Sequence, residues 1–163
     1  MKKRGYTLIE ILVVVTVFAA ISLITSQTII LTLRGTKKAE SISKVRSNLD
    51  NAIGSMERQL RGAKSIVSAC TGVAAQSIIF VDQNNNQVTF SCIGVNNNNQ
   101  PASIASGAAT LTTSDITISA CSFTCSPAVG SNPPSILINI TGNDLTGQNS
   151  SVPVVTQVTL RNF

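Results

Sequence analysis

Apolar and polar positions divide the chain into three stretches of different period. Residues 11–33 carry no charge, and positions 11–24 are nearly all Val, Ile, Leu, Phe and Ala. A helix of that length rises about 30 Å or slightly more, enough to cross a bilayer. Ser26, Gln27 and Thr28 then dilute the hydrophobicity, as expected of a helix leaving the membrane. Further on, apolar residues recur three or four apart at Ile42, Val45, Leu49, Ile53, Met56, Leu60 and Ala63. Lys37, Lys38, Glu40, Lys44, Arg46, Asp50, Glu57, Arg58, Arg61 and Lys64 fill the other faces. This spacing predicts an amphipathic helix over 34–65 with one stripe to bury. Gly35 and Gly54 are candidate bends within it. Packing on the segment that follows is favoured over a coiled coil, because about three heptads are present without clear alternation of flanking charge.

From residue 66 the helical period vanishes and Ser, Thr, Asn, Val and Ile dominate. Residues 77–82 and 87–93 are β-branched and aromatic runs joined by Gln83-Asn84-Asn85-Asn86, a hairpin signal. Residues 115–123 alternate through Ile116, Ile118 and Ala120, and Ile136, Ile138 and Ile140 do likewise. Val154, Thr156, Val158 and Leu160 close the chain in the same way. Residues 96–99, followed by Gln100 and Pro101, read as an exposed loop. Roughly five strands in one antiparallel sheet with one buried face are expected. The fold class is therefore α+β, a long N-terminal helix packed on a C-terminal antiparallel sheet.

Charge and composition narrow the function. The 163 residues carry a formal +5, with only 12% charged residues and no histidine or tryptophan. Lacking histidine, the chain lacks the commonest general base and metal ligand. After Lys64 the charged residues are Asp82, Asp115, Asp144 and Arg161, and no catalytic constellation is visible. Neither an enzymatic activity nor a cofactor is expected. Six aromatic residues supply few platforms for stacking bases.

The N-terminus carries the most specific signal. Lys2, Lys3 and Arg4 precede Gly5, Tyr6 and an apolar run that is interrupted once, by Glu10. The basic flank places the N-terminus in the cytoplasm. A secretory signal cut near Ala19 or Ala20 would not carry an acid inside its apolar stretch. A plain anchor would carry Glu10 as an uncompensated intramembrane acid. Gly5-Tyr6-Thr7-Leu8-Ile9-Glu10-Ile11-Leu12-Val13 instead resembles the processing site of type IV pilins and type II secretion pseudopilins. Tyr6 stands where that family usually has Phe, keeping the ring.

The resemblance implies a pilin fold, cleavage by a prepilin peptidase between Gly5 and Tyr6, and N-methylation of Tyr6. It also implies that Glu10 acts in assembly by pairing with the terminal amine of a neighbouring subunit. The domains would then be a leader over 1–5, a transmembrane and assembly helix over 6–33, an amphipathic half over 34–65 and a β-rich head over 66–163. Partners would be other pilin or pseudopilin subunits, the prepilin peptidase, an inner-membrane assembly platform and the lipid bilayer. The implied location is the bacterial inner membrane, single-pass with the N-terminus cytoplasmic, and then an extracytoplasmic filament. Met56-Glu57-Arg58-Gln59-Leu60-Arg61-Gly62-Ala63 and Val158-Thr159-Leu160-Arg161-Asn162 are similar to segments of J-type minor pseudopilins and related minor pilins. The proline frequent at the twenty-second mature position of type IV pilins is Gln27 here. A minor pilin or pseudopilin is the resulting expectation. The alternative is a membrane-anchored exported module that binds DNA or a surface ligand outside the filament shaft.

The four cysteines, Cys70, Cys92, Cys121 and Cys125, all follow the apolar segment, on the side that the orientation rule exports. An even count there reads as disulfides, with three possible connectivities. Two close pairs would be wanted for a four-thiolate metal site, and only Cys121 and Cys125 are close, so no metal is expected. Their five-residue loop at a strand end favours Cys121 with Cys125, leaving Cys70 with Cys92. Removing Lys2, Lys3 and Arg4 leaves nine basic against seven acidic residues, or +2. From residue 65 onward the count is one basic against three acidic. The apparent attraction to nucleic acid therefore lies mostly in the leader, and nucleic acid is not an expected partner.

Overall fold

The structure, a computed structural model, describes residues 5–95, 102–130, 133–145 and 150–161. Leader residues Met1 to Arg4, the expected loop at residues 96–101, and Asn162 lie outside the described residues. Among the described residues one helix, α1 (Leu8–Arg61), precedes nine strands. The chain divides into two compact units between Ala39 and Glu40, and α1 contributes to both.

In the first unit, α1 exposes its large apolar side chains, among them Leu12, Val15, Phe18, Ile21, Ile24, Ile29 and Leu33. Its hydroxyls turn inward on the backbone. Ser22, Thr25, Ser26, Thr28 and Thr32 each donate to the carbonyl four residues earlier, at 2.8 to 3.0 Å. In lipid such bonds satisfy polar groups without any outside partner. This is the one helix among the described residues that is long and apolar enough to cross a membrane. Gly35 does not interrupt it, nor does Gly54 further on.

In the second unit, α1 buries Ser41, Val45, Leu49, Ala52, Ile53, Met56 and Leu60. The expected stripe is present with one change: Ile42 is exposed and Ser41 takes the buried position. The helix ends at Arg61, a turn earlier than expected, and Lys64 N–H then donates to the Val81 carbonyl.

Two antiparallel sheets meet that stripe, where one was expected. The first holds β1 (Ser65–Ile66), β3 (Ser77–Val81), β4 (Gln87–Ile93), β5 (Ser103–Ser106) and β6 (Ala109–Thr110), in the order β1-β3-β4-β5-β6. The second holds β2 (Ala74–Ala75), β7 (Ile116–Ser126), β8 (Ser135–Asp144) and β9 (Ser151–Thr159), in the order β2-β7-β8-β9. Pro153 is tolerated because β9 is an edge strand with one side free of ladder bonds. One core joins helix and sheets, with Phe80, Phe90, Ile104, Ile118, Phe123, Ile138 and Val158 beside the helical stripe. Each such side chain contributes on the order of 1.5–3 kcal/mol when fully buried.

Two local features set the register. The β7–β8 pairing slips between Ile118 and Ala120, a bulge at Ser119. It exposes Ala120, contrary to the expected alternation, and turns Cys121, Phe123 and Cys125 inward. One extra residue inverts every later side chain on a strand. On β8, Gly142 lies against α1, and a Cβ there would sit 3.1 Å from Val45 Cγ1 and Leu49 Cδ1. Gly142→Val is therefore expected to destabilise the head by about 1–3 kcal/mol through overpacking. An unchanged melting temperature by circular dichroism would contradict this close approach.

The β3–β4 turn is built by Asp82. Its carboxylate accepts the backbone N–H of Asn84 and of Asn86, both at 2.8 Å, while Asn85 takes the left-handed conformation at φ 65°. Asparagine adopts that region more readily than other side chains that carry a Cβ. The Asn86 N–H foremost, together with the Asn84 N–H, the Asn86 side chain and nearby Lys64, holds the Asp82 carboxyl below its ordinary value of 3.8. The turn's stabilisation is thus fully present above pH 3.8 and is lost as pH falls through the lower folded value. Protection of the Asn84 and Asn86 amides, relative to their intrinsic exchange rates, should fall in that acid window. Asp82→Ala should abolish the acid dependence, and persistence of the dependence would contradict the assignment.

Candidate functional site

Gly5, Tyr6 and Thr7 lead into α1 without being part of it. Tyr6 is 79% exposed, and a Cβ built at Gly5 would meet nothing within 4 Å. Thr7 starts the helix: its carbonyl accepts the N–H groups of Glu10 and Ile11, at 3.1 and 3.3 Å. Its Oγ1 accepts the Glu10 N–H at 3.3 Å. A threonine cap with glutamate three residues later is the capping-box spacing. Glu10 also sits in the first turn, where the helix dipole favours a negative charge.

The structure therefore gathers Gly5, Tyr6 and Glu10 at one helix entrance, with Glu10 four positions beyond Tyr6 and exposed. Thr7 was not singled out in the sequence, although Thr-x-x-Glu ahead of an apolar run carries that signal. The family model of the prokaryotic N-terminal methylation motif matches residues 1–26. No curated protein and no solved structure matches the chain. The motif supports a type IV pilin-like or pseudopilin-like protein, and with the exposed apolar helix it supports a membrane-anchored one. Assembly with other pilin subunits and processing by a prepilin peptidase go with that motif.

The cysteines form two disulfides, but in a different pairing from the one expected. Cys70 pairs with Cys125, with Cα atoms 4.6 Å apart, and Cys92 pairs with Cys121, at 6.0 Å. The expected Cys121–Cys125 bridge fails because both residues lie on the extended strand β7. Four residues of strand span about 13 Å, far beyond disulfide reach. The Ser119 bulge aims both toward the core, where each meets a cysteine from another element. Cys92–Cys121 thereby ties β4 of one sheet to β7 of the other. No cluster of three metal-ligating side chains occurs among the described residues.

A shallow groove of about 330 Å³ lies between the end of α1 and the β3–β4 turn, lined by Arg58, Gln59, Gly62, Asp82, Gln83, Asn84 and Val88. Its one carboxylate, Asp82, already accepts two turn N–H groups. The Lys44–Asp115 ion pair (3.2 Å) ties α1 to the loop before β7, and the Thr156–Glu57 hydrogen bond (2.6 Å) ties it to β9, while Arg61 pairs with Glu57 within α1 (3.6 Å).

Proposed function

We propose that this chain is a minor pilin or pseudopilin of a type IV pilus or type II secretion-like filament. The observation that carries the reading is the methylation motif overlapping an apolar half-helix whose large side chains are exposed. In this reading residues 1–5 are a cytoplasmic leader, and cleavage after Gly5 leaves Tyr6 as the N-methylated terminus. Residues 6–33 anchor the prepilin in the inner membrane and later pack in the filament core. The head stays on the extracytoplasmic side, where disulfides persist.

Glu10 is the assembly residue. A carboxylate at that depth needs a positive partner in low dielectric. Axially stacked subunits bring it the terminal amine of a neighbour's Tyr6. Cleavage must come first, since Lys2, Lys3 and Arg4 would otherwise enter an apolar core. The minor role is supported by Gln27 in place of proline and by the J-type similarity of residues 56–63, whose Met56, Leu60 and Ala63 all enter the core. The role is structural, not enzymatic.

Immunolabelling of filaments sheared from cells tests the role. Sparse labelling, at a small fraction of the major subunit, is expected. Protein confined to the membrane fraction would favour the anchored binding module instead.

A further inference from the structure

The connectivity of the disulfides has a consequence for how the head is made. In chain order the cysteines are Cys70, Cys92, Cys121 and Cys125. The bridges are nested: Cys70–Cys125, at a sequence separation of 55, encloses Cys92–Cys121, at 29. An unfolded, oxidising chain favours other partners. Cys121 and Cys125 are four residues apart, and Cys70 and Cys92 are closer together than either native pair. Loop-closure entropy alone favours the two short bridges by on the order of tenfold or more. Export from the N-terminal side, which follows from the proposed topology, adds to this bias by delivering Cys70 and Cys92 first.

The folded head cannot accommodate the short bridge at Cys121 and Cys125, because β7 holds them apart as an extended strand. Nor can strand pairing complete around it. Three of the four cysteines are buried in the core, so their correct pairing is bound up with bringing the two sheets together. We infer that the head reaches its native state through a thiol–disulfide isomerase, and that this protein is a substrate of that class of enzyme.

The exchange balances without an external oxidant. The isomerase thiolate attacks Cys92 Sγ of a Cys70–Cys92 bridge, forming a mixed disulfide and releasing the Cys70 thiolate. That thiolate attacks Cys125 Sγ of a Cys121–Cys125 bridge, forming Cys70–Cys125 and releasing the Cys121 thiolate. The Cys121 thiolate then attacks Cys92 Sγ in the mixed disulfide, forming Cys92–Cys121 and returning the isomerase thiolate. Two disulfides enter and two leave.

The test oxidises the reduced full-length chain in detergent with oxidised glutathione, with and without catalytic protein disulfide isomerase. Cleavage before Asp82, Asp115 and Asp144 places Cys70 and Cys92 on separate peptides and Cys121 with Cys125 on a third. Native bridges link all three peptides, whereas the short bridges link only two. Fragmentation of the three-peptide product separates the native pairing from the remaining one. The two-peptide product is expected first, in about tenfold or greater excess over the native one, with isomerase accelerating its conversion to the native product. A Cys70→Ala/Cys125→Ala variant, left with Cys92 and Cys121, has no bridge to rearrange, so it measures how far the enzyme speeds oxidation alone; conversion of the two-peptide product should be accelerated well beyond that. Direct formation of the native product without isomerase would overturn the inference, as would a two-peptide product that isomerase leaves unchanged, or an acceleration no greater than that of oxidation in the two-cysteine variant. The readout does not depend on where the chain is processed, so it is separate from the filament reading.

Discussion

Glu10→Ala is expected to leave processing after Gly5 intact and to lower the filament-borne share of the protein about tenfold or more. Removing one partner of a buried ion pair strands the other charge and is worth about 3–5 kcal/mol, well above the 1.4 kcal/mol of a tenfold change. Two further variants separate charge from helix structure. Glu10→Gln keeps the side-chain length without the charge and should fail as Glu10→Ala does. Thr7→Ala removes the hydroxyl that accepts the Glu10 N–H but keeps the carboxylate. Losing a cap costs about 1 kcal/mol, so Thr7→Ala should assemble far better than either Glu10 variant. The check is quantitative immunoblotting of sheared filaments against the membrane fraction. Glu10→Ala recovered in filaments at wild-type level would remove the assembly role from this residue.

The second large effect concerns the bridge between the sheets. Cys92 and Cys121 are 9% and 7% exposed, so Cys92→Ala/Cys121→Ala removes a cross-link and leaves space inside the core. Losing a native disulfide typically costs about 2–5 kcal/mol. For a head of this size that corresponds to a fall in melting temperature on the order of 10 °C. Thermal unfolding of the oxidised chain in detergent, followed by circular dichroism, measures it. A shift within about 2 °C would mean that the helix and the hairpins hold the two sheets together without the bridge.

The long helix was readable in the sequence because a 3.6-residue period survives over many turns, and Val45, Leu49, Ile53, Met56 and Leu60 all proved buried. The start of the stripe was not, because Ser41 enters the core while the more apolar Ile42 faces out. Strands β3, β4, β7, β8 and β9 were legible as alternating β-branched runs. By contrast, β1, β2 and β6 have two residues each, and β5 is Ser103-Ile104-Ala105-Ser106, too short for a period to register. The division into two sheets depends on which strands pair, which is non-local.

The same non-local pairing explains the cysteines. Proximity along the chain suggested Cys121 with Cys125, but an extended strand separates near neighbours, and the Ser119 bulge decides which way they face. At the N-terminus the reverse holds. Gly5, Tyr6, Thr7 and Glu10 lie within six positions at the entrance to α1, so their spacing is readable locally, although the Thr7 cap was missed.

In the proposed function residues 1–5 are removed and the chain works from Tyr6 onward. Intact-mass and N-terminal peptide mass spectrometry of protein extracted from membranes and from sheared filaments tests it directly. A chain beginning at N-methylated Tyr6, with the mass of residues 1–5 gone, is the predicted result. A chain that retains Met1, or one that begins near Ile21 after removal of an ordinary signal peptide, would contradict it.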